Sequence, residues 1–213
     1  TEWYRINFPE LSVAGDELFL KLLSKAGSKE SLAKKELEEI LGAERGDAIH
    51  SQVDGSMGAP FDENDAKVIM QFARRLHELF LLRKDIEAYI GIEAQKTLPN
   101  ITYLTDPVLA ARLISTAGSL ENMAKMPAST IQVIGAEKAL FKHLRSGTRP
   151  PKHGVIFQSP MVGTAPLNQR GRMARALSTK LTIAAKADYY SHNFIAEKLK
   201  ADMEIRMKEI RGG

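Results

Sequence analysis

The sequence predicts an all-α fold: a long antiparallel coiled-coil helical pair followed by a compact multi-helix domain. Three observations predict it. Residues 65–95 carry an apolar seam at alternating steps of three and four, the segment after Pro99 is punctuated by helix caps and stops, and alternating strand patterns are nearly absent.

The elements follow in order. Between Pro9 and Lys25 the leucines Leu11, Leu18, Leu22 and Leu23 mark one inward face. Leu32, Leu37, Ile40 and Leu41 mark a second short amphipathic helix, begun near Ser28 and stopped by Gly42. Residues 42–64 are rich in glycine and polar side chains and read as a hairpin connection or loop. The long helix comes next, capped by Asp62 or Asn64, with Ile69, Phe72, Leu76, Leu79, Arg83, Ile86 and Ile90 in a seam of about three heptads. Arg83 is expected to extend its charged head out of that seam.

After Pro99, Asp106-Pro107 is an N-cap followed by proline at the first helical position, and Gly118 ends that helix. Ser119 starts another short helix, and Thr130–Ile134 is a brief apolar piece. A helix from Ala136 to Arg145 should anchor itself through Ala139, Leu140 and Leu144. Val155–Gln158 is the only plausible strand. Two longer helices close the chain, one through residues 171–190 and one from Asn193 to Ile210. The expected division is 1–98 for the coiled coil with its flanking helices and 99–213 for the compact multi-helix domain, with the final helices returning to the base of the coiled coil.

Composition narrows the function. At 213 residues, 44% hydrophobic and 26% charged, the chain has the balance of a soluble globular protein. No apolar run approaches the roughly 18–20 residues of a membrane span, so no membrane partner is expected. Without cysteine there is no disulfide, thiolate nucleophile or cysteine-ligated metal, which favours an intracellular setting. The serines lie in no nucleophile elbow, the five histidines have no metal-ligand spacing, and glycine-rich nucleotide loops are missing. No catalytic residue, metal or cofactor is therefore expected.

Charge is the strongest signal. Residues 1–64 hold thirteen Asp and Glu against seven Lys and Arg, a difference of −6. From Lys138 to Ala187 there is no acid, but there are ten cations: Lys138, Lys142, Arg145, Arg149, Lys152, Arg170, Arg172, Arg175, Lys180 and Lys186. Such a field attracts phosphate polymers. Lys138, Lys142 and Arg145 share one helical face, and Gly135 leaves that helix N-terminus open to a phosphate. Arg149, Lys152 and His153 project from a loop stiffened by Pro150-Pro151, and Gln169, Arg170, Arg172 and Arg175 open the next long helix. Two basic clusters around a rigid loop suit a folded nucleic acid. An acidic protein partner is the alternative.

The residues MPASTIQVIGAEKALFKHLRSGTRPPKHGVIFQ (126–158) and RGRMARALSTKLTIAAKADYYS (170–191) resemble the signature blocks of the Nop domain, as do EWYRINFPEL (2–11) and LISTAGSLENMAKMPASTIQ (113–132). The similarity is greatest to the archaeal core protein of box C/D small ribonucleoproteins. The resemblance implies an RNA-binding, non-catalytic scaffold that docks on a guide RNA kink-turn already held by a kink-turn core protein. It implies a homodimer through Ile69, Phe72, Leu76, Leu79, Ile86 and Ile90. It further implies support for fibrillarin, the methyltransferase responsible for RNA 2′-O-methylation, recruited through a separate N-terminal domain without counterpart in a chain read as a fragment. The implied RNA- and core-protein-facing positions are Gly135, Ala136, Glu137, Lys138, Lys142, His143, Arg145, Arg149, Lys152, His153, Gln158, Gln169, Arg170, Arg172, Arg175 and Lys180. The expected location is the cytoplasm of an archaeon, or the nucleolus in a eukaryote. A spliceosomal-type relative acting on another kink-turn RNA is the neighbouring reading.

Overall fold

The computed structural model describes residues 2–212 and is all-α, with no strand among the described residues. The helices are α1 (Glu2–Asn7), α2 (Asp16–Lys25), α3 (Lys34–Leu41), α4 (Ala43–Val53), α5 (Glu63–Thr97), α6 (Pro99–Leu104), α7 (Pro107–Ala117), α8 (Leu120–Lys125), α9 (Ala128–Val133), α10 (Glu137–Ser146), α11 (Pro160–Gly163), α12 (Arg170–Lys186) and α13 (Ala196–Gly212). They form two compact units, residues 1–86 and 87–213. The division falls inside α5 because Ala94 and Leu98 are buried in the core of the second unit.

In the first unit Tyr4, Phe8, Leu22, Leu23, Leu37, Ile49, Ile69 and Ala73 make one core. Asn7 ties its loops together. Its Oδ1 accepts from the Lys29 N–H at 2.6 Å, its Nδ2 donates to the Ala59 carbonyl at 3.0 Å, and the Lys29 ammonium reaches the Gly58 carbonyl at 2.6 Å. Residues 42–64, expected as a loop, contain α4. Gly46 lets α4 approach α3 closely, since a Cβ there would stand 2.6 Å from the Glu38 nitrogen. That contact is backbone against backbone, and leaves few apolar residues for a periodicity reading to find.

The long antiparallel pair is not formed within the described residues. One 35-residue helix is present, and no helix before it exceeds 11 residues. Breaks such as Gly15 and Gly42, both at positive φ, divide the preceding apolar residues into short pieces. Asp62 caps α5 as expected, accepting from the Asn64 and Asp65 N–H groups at 2.7 and 2.8 Å. Of the seam residues, Ile69 is spent in the first unit's core, Leu76 and Ile90 are half-buried, and Phe72, Leu79 and Ile86 are exposed, as is Arg83.

The second unit is built around α12. Its Met173, Leu177 and Leu181 are fully buried, and Ala174, Ala184 and Ala185 let neighbouring helices approach. Burying a Leu or Met side chain contributes about 1.5–3 kcal/mol each. α6, α8, α9, α11 and α13 all pack on it. The expected caps are present: Asp106 accepts from the Leu109 N–H at 2.9 Å and Ser119 from the Asn122 N–H at 3.0 Å. Val155–Gln158 is a 3-10 turn instead of a strand, because Gly154 and Pro160 bound too short a segment and Ile156 turns into the core.

A buried carboxylate fixes the end of α12, where Ala187–Ser191 forms a π turn. Asp188 accepts from Asn100 N (3.0 Å), Asn100 Nδ2 (2.7 Å) and Ile101 N (3.0 Å), so it caps α6 from a distance. Asp188→Ala strands these buried donors and should cost about 2–4 kcal/mol in urea denaturation. A loss below about 1 kcal/mol would show that the cap is dispensable.

Candidate nucleic-acid interface

Residues 135–154 form an excursion whose two ends are pinned together. The Gly154 N–H donates to the Gln132 carbonyl at 3.0 Å, and the Val155 N–H donates to the Ile134 carbonyl at 2.8 Å. The backbones meet so closely that a Cβ on Gly154 would lie 1.9 Å from the Ile134 oxygen, and a Cβ on Gly135, at φ 82°, would lie 2.4 Å from Val155 Cγ2. Only glycine satisfies both positions. The Gln132 side chain adds a bond from Nε2 to the Lys152 carbonyl at 2.7 Å.

Within this excursion α10 stands away from the core, with no buried residue. The expected anchoring face is largely exposed. Leu140 is half-buried, Ala139 is exposed, and Phe141 and Leu144 are 62% and 70% exposed. The helix is held at its ends instead. Glu137 accepts from the Gly135 N–H at 2.7 Å, which explains an acid at the edge of a basic segment. This carboxylate occupies the favourable N-terminal end of the helix, so α10 offers less of an open phosphate cradle than its glycine suggested. Gly147, at φ 64°, ends the helix, and His143 Nδ1 donates to the Thr148 carbonyl, which folds the loop back. His143 therefore braces the loop. Ala136 is the N-cap of α10.

Lys138, Lys142 and Arg145 lie along one exposed face of α10, and Arg149 and Lys152 are exposed on the following loop. The Lys152 stem passes 3.3 Å from where a Cβ on Gly171 would stand, at the start of α12. His153 stacks on Phe157 with ring centroids 4.6 Å apart and planes at 17°. The Arg170 guanidinium lies 5.2 Å from the same ring, while its Nε donates to the Ala165 carbonyl at 2.9 Å. The structure thus joins the loop cluster to the α12 cluster through Phe157, which sequence reasoning missed. Its one available signal was an aromatic residue ending a basic run.

The remaining positions divide. Gln158 is exposed, and Gln169 is the N-cap of α12. Arg172 and Arg175 are exposed with no acidic partner among the described residues, as are the five cations of the excursion. Lys180 differs: it is mostly covered and bound to Asp202 at 2.9 Å, so it is no free cation. The surface therefore presents seven unpaired cations, without a carboxylate set to orient either histidine for proton transfer. Such an arrangement suits the docking of anions.

Burial pushes the His153 pKa below its ordinary value of 6.5, with the Arg170 and Lys152 charges acting the same way. As pH falls below that ordinary value the unfolded chain takes up the proton first. The stability contributed by neutral His153 is complete above 6.5 and is lost as pH falls through the lower folded value. Proton-detected titration should find His153 depressed and Arg170→Ala should raise it; an unmoved value would remove Arg170 from its surroundings.

Comparison with known proteins shows the family of the chain. The family described as Nop, snoRNA binding domain, fibrillarin, matches residues 1–209. An uncharacterised NOP5 family protein of Methanocaldococcus jannaschii is 44% identical over 212 residues, covering 99% of this chain and 51% of its own length. Nucleolar protein 58 of Schizosaccharomyces pombe is 34% identical over 219 residues, covering 100% and 43%. Nucleolar protein 56 of Bos taurus is 34% identical over 215 residues, covering 97% and 36%. The chain thus spans about half or less of the length of these curated relatives. Among solved structures, a chain of a fibrillarin/Nop5p complex superposes with TM-score 0.54 and 31% identity, covering 92% of this chain and 69% of its own. No described helix is long and apolar enough to cross a membrane. With its signature blocks, its all-α core and a family match over nearly its whole length, the chain belongs to the Nop family of snoRNA-binding domains.

Proposed function

We propose that the second unit docks on a box C/D guide RNA at a kink-turn already occupied by its core protein. The chain then acts as a non-catalytic scaffold for fibrillarin, which 2′-O-methylates the target RNA. The observation that carries this reading is the joining of two unpaired basic clusters across His153, Phe157 and Arg170. A rigid ledge of this kind gives phosphates fixed partners at small ordering cost.

The exposed Phe141 and Leu144 on the same excursion favour a composite surface, since apolar side chains beside a basic face suit a protein companion of the RNA. Contact with fibrillarin falls to the separate N-terminal domain that the family resemblance implies. Self-association falls to the exposed apolar residues of α5, of which Phe72, Leu79 and Ile86 are 64%, 59% and 49% exposed.

Gel-shift titration of a kink-turn RNA tests the composite surface directly. Binding should be weak for the chain alone and much tighter once the core protein is present; equal affinity in both would refute it. Arg149→Glu and Arg172→Glu should each weaken assembly and lower the slope of log K against log salt by about one. An unchanged slope would remove those residues from the interface.

A further inference from the structure

The basic surface does not end on α12. Arg172, Arg175, Thr179 and Lys180 fall on one side of α12 and line an open groove of about 400 Å³, with Met203 and Arg206 of α13 opposite. We propose that this groove is a second phosphate subsite for the RNA backbone, with Arg206 as its distal clamp. The inference rests on the docking reading above and adds to it a helix that no motif or charge run singled out.

Three features support it. First, Lys180 meets Asp202 at 2.9 Å, which pins α13 against α12. That hydrogen bond holds the Asp202 carboxyl below its ordinary range, and it leaves the lysine charge matched locally. The excess positive charge of the groove therefore lies with the arginines.

Second, Arg172 and Arg175 have no acidic partner among the described residues, and Arg206 has only Glu209, at 2.6 Å. Both members of that pair are more than half exposed (63% and 54%), so the pair is weakly held and readily exchanged for a phosphate. Guanidinium groups that share one groove repel one another until an anion enters, and their planar donors match phosphate oxygens.

Third, the groove continues the proposed docking surface. Gly171 lies against the Lys152 stem and Arg172 is the next residue, so a backbone leaving the loop at Arg149 and Lys152 meets Arg172, then Arg175, then Arg206. α13 has a nearly balanced mixture of charges, which hides this role from any linear count.

The test is a salt titration of the chain assembled with a kink-turn RNA and its core protein, comparing Arg206→Glu and Glu209→Gln with Arg172→Glu. Arg206→Glu should weaken binding about tenfold and lower the salt slope by about one. Glu209→Gln, which releases Arg206, should tighten binding and steepen the slope, a gain that misfolding cannot produce. If Arg172→Glu weakens binding while both α13 variants leave affinity and slope unchanged, the groove is not a subsite and the docking reading stands. If Arg172→Glu and Arg149→Glu are also neutral, the docking reading itself fails. If Arg206→Glu impairs assembly with the core protein in the absence of RNA and leaves the salt slope intact, the groove meets an acidic protein and the phosphate assignment is overturned.

Discussion

The close approach of residues 132–135 to 154–155 is the constraint on which the candidate interface depends. Two backbone hydrogen bonds and two glycines without room for a side chain close a twenty-residue excursion at its base. No residue of α10 is fully buried, so little of its position or of that of the Pro150-Pro151 loop comes from hydrophobic packing of its own. Both inherit their position from this crossing and from the short bonds at each end of α10. Seven unpaired cations kept together repel one another. The crossing meets that cost with backbone bonds, and the buried mass of α12 lies behind it.

Much of the architecture was legible because its signals are local. The cap at Asp106, the stop at Gly118, the start of α5 at Asp62 and the spacing of Met173, Leu177 and Leu181 each depend on a few neighbouring residues. The acid-free span from Lys138 to Ala187 was visible as composition. What sequence alone missed lies in tertiary relations. α4 sits in a segment rich in glycine because Gly46 makes a backbone contact, not an apolar one. Apolar spacing on α10 resembled an anchoring face, yet Leu144 is exposed. Lys180 looked like every other cation until α13 brought Asp202 to it.

The same contrast separates the two units. In the first, polar loops are tied by Asn7 and Lys29 around a small apolar core, and its basic and acidic residues are dispersed. In the second, the buried face of α12 is largely apolar, and the cations without an acidic partner stand on the excursion and the first turns of α12. Helix α5 takes part in both, burying Ile69 and Ala73 in one core and Ala94 and Leu98 in the other, with apolar side chains exposed between them. This distribution is what the proposed function draws on: RNA contact for the second unit and self-association for the exposed apolar residues of α5.

The central claim is that the acid-free surface is the one that faces RNA. Ultraviolet crosslinking of the assembled particle, with crosslinked peptides mapped by mass spectrometry, tests it most directly. The account predicts crosslinks within residues 138–175, on the excursion and on the first turns of α12. An assembled particle whose RNA crosslinks fall elsewhere, with none in that span, would contradict it.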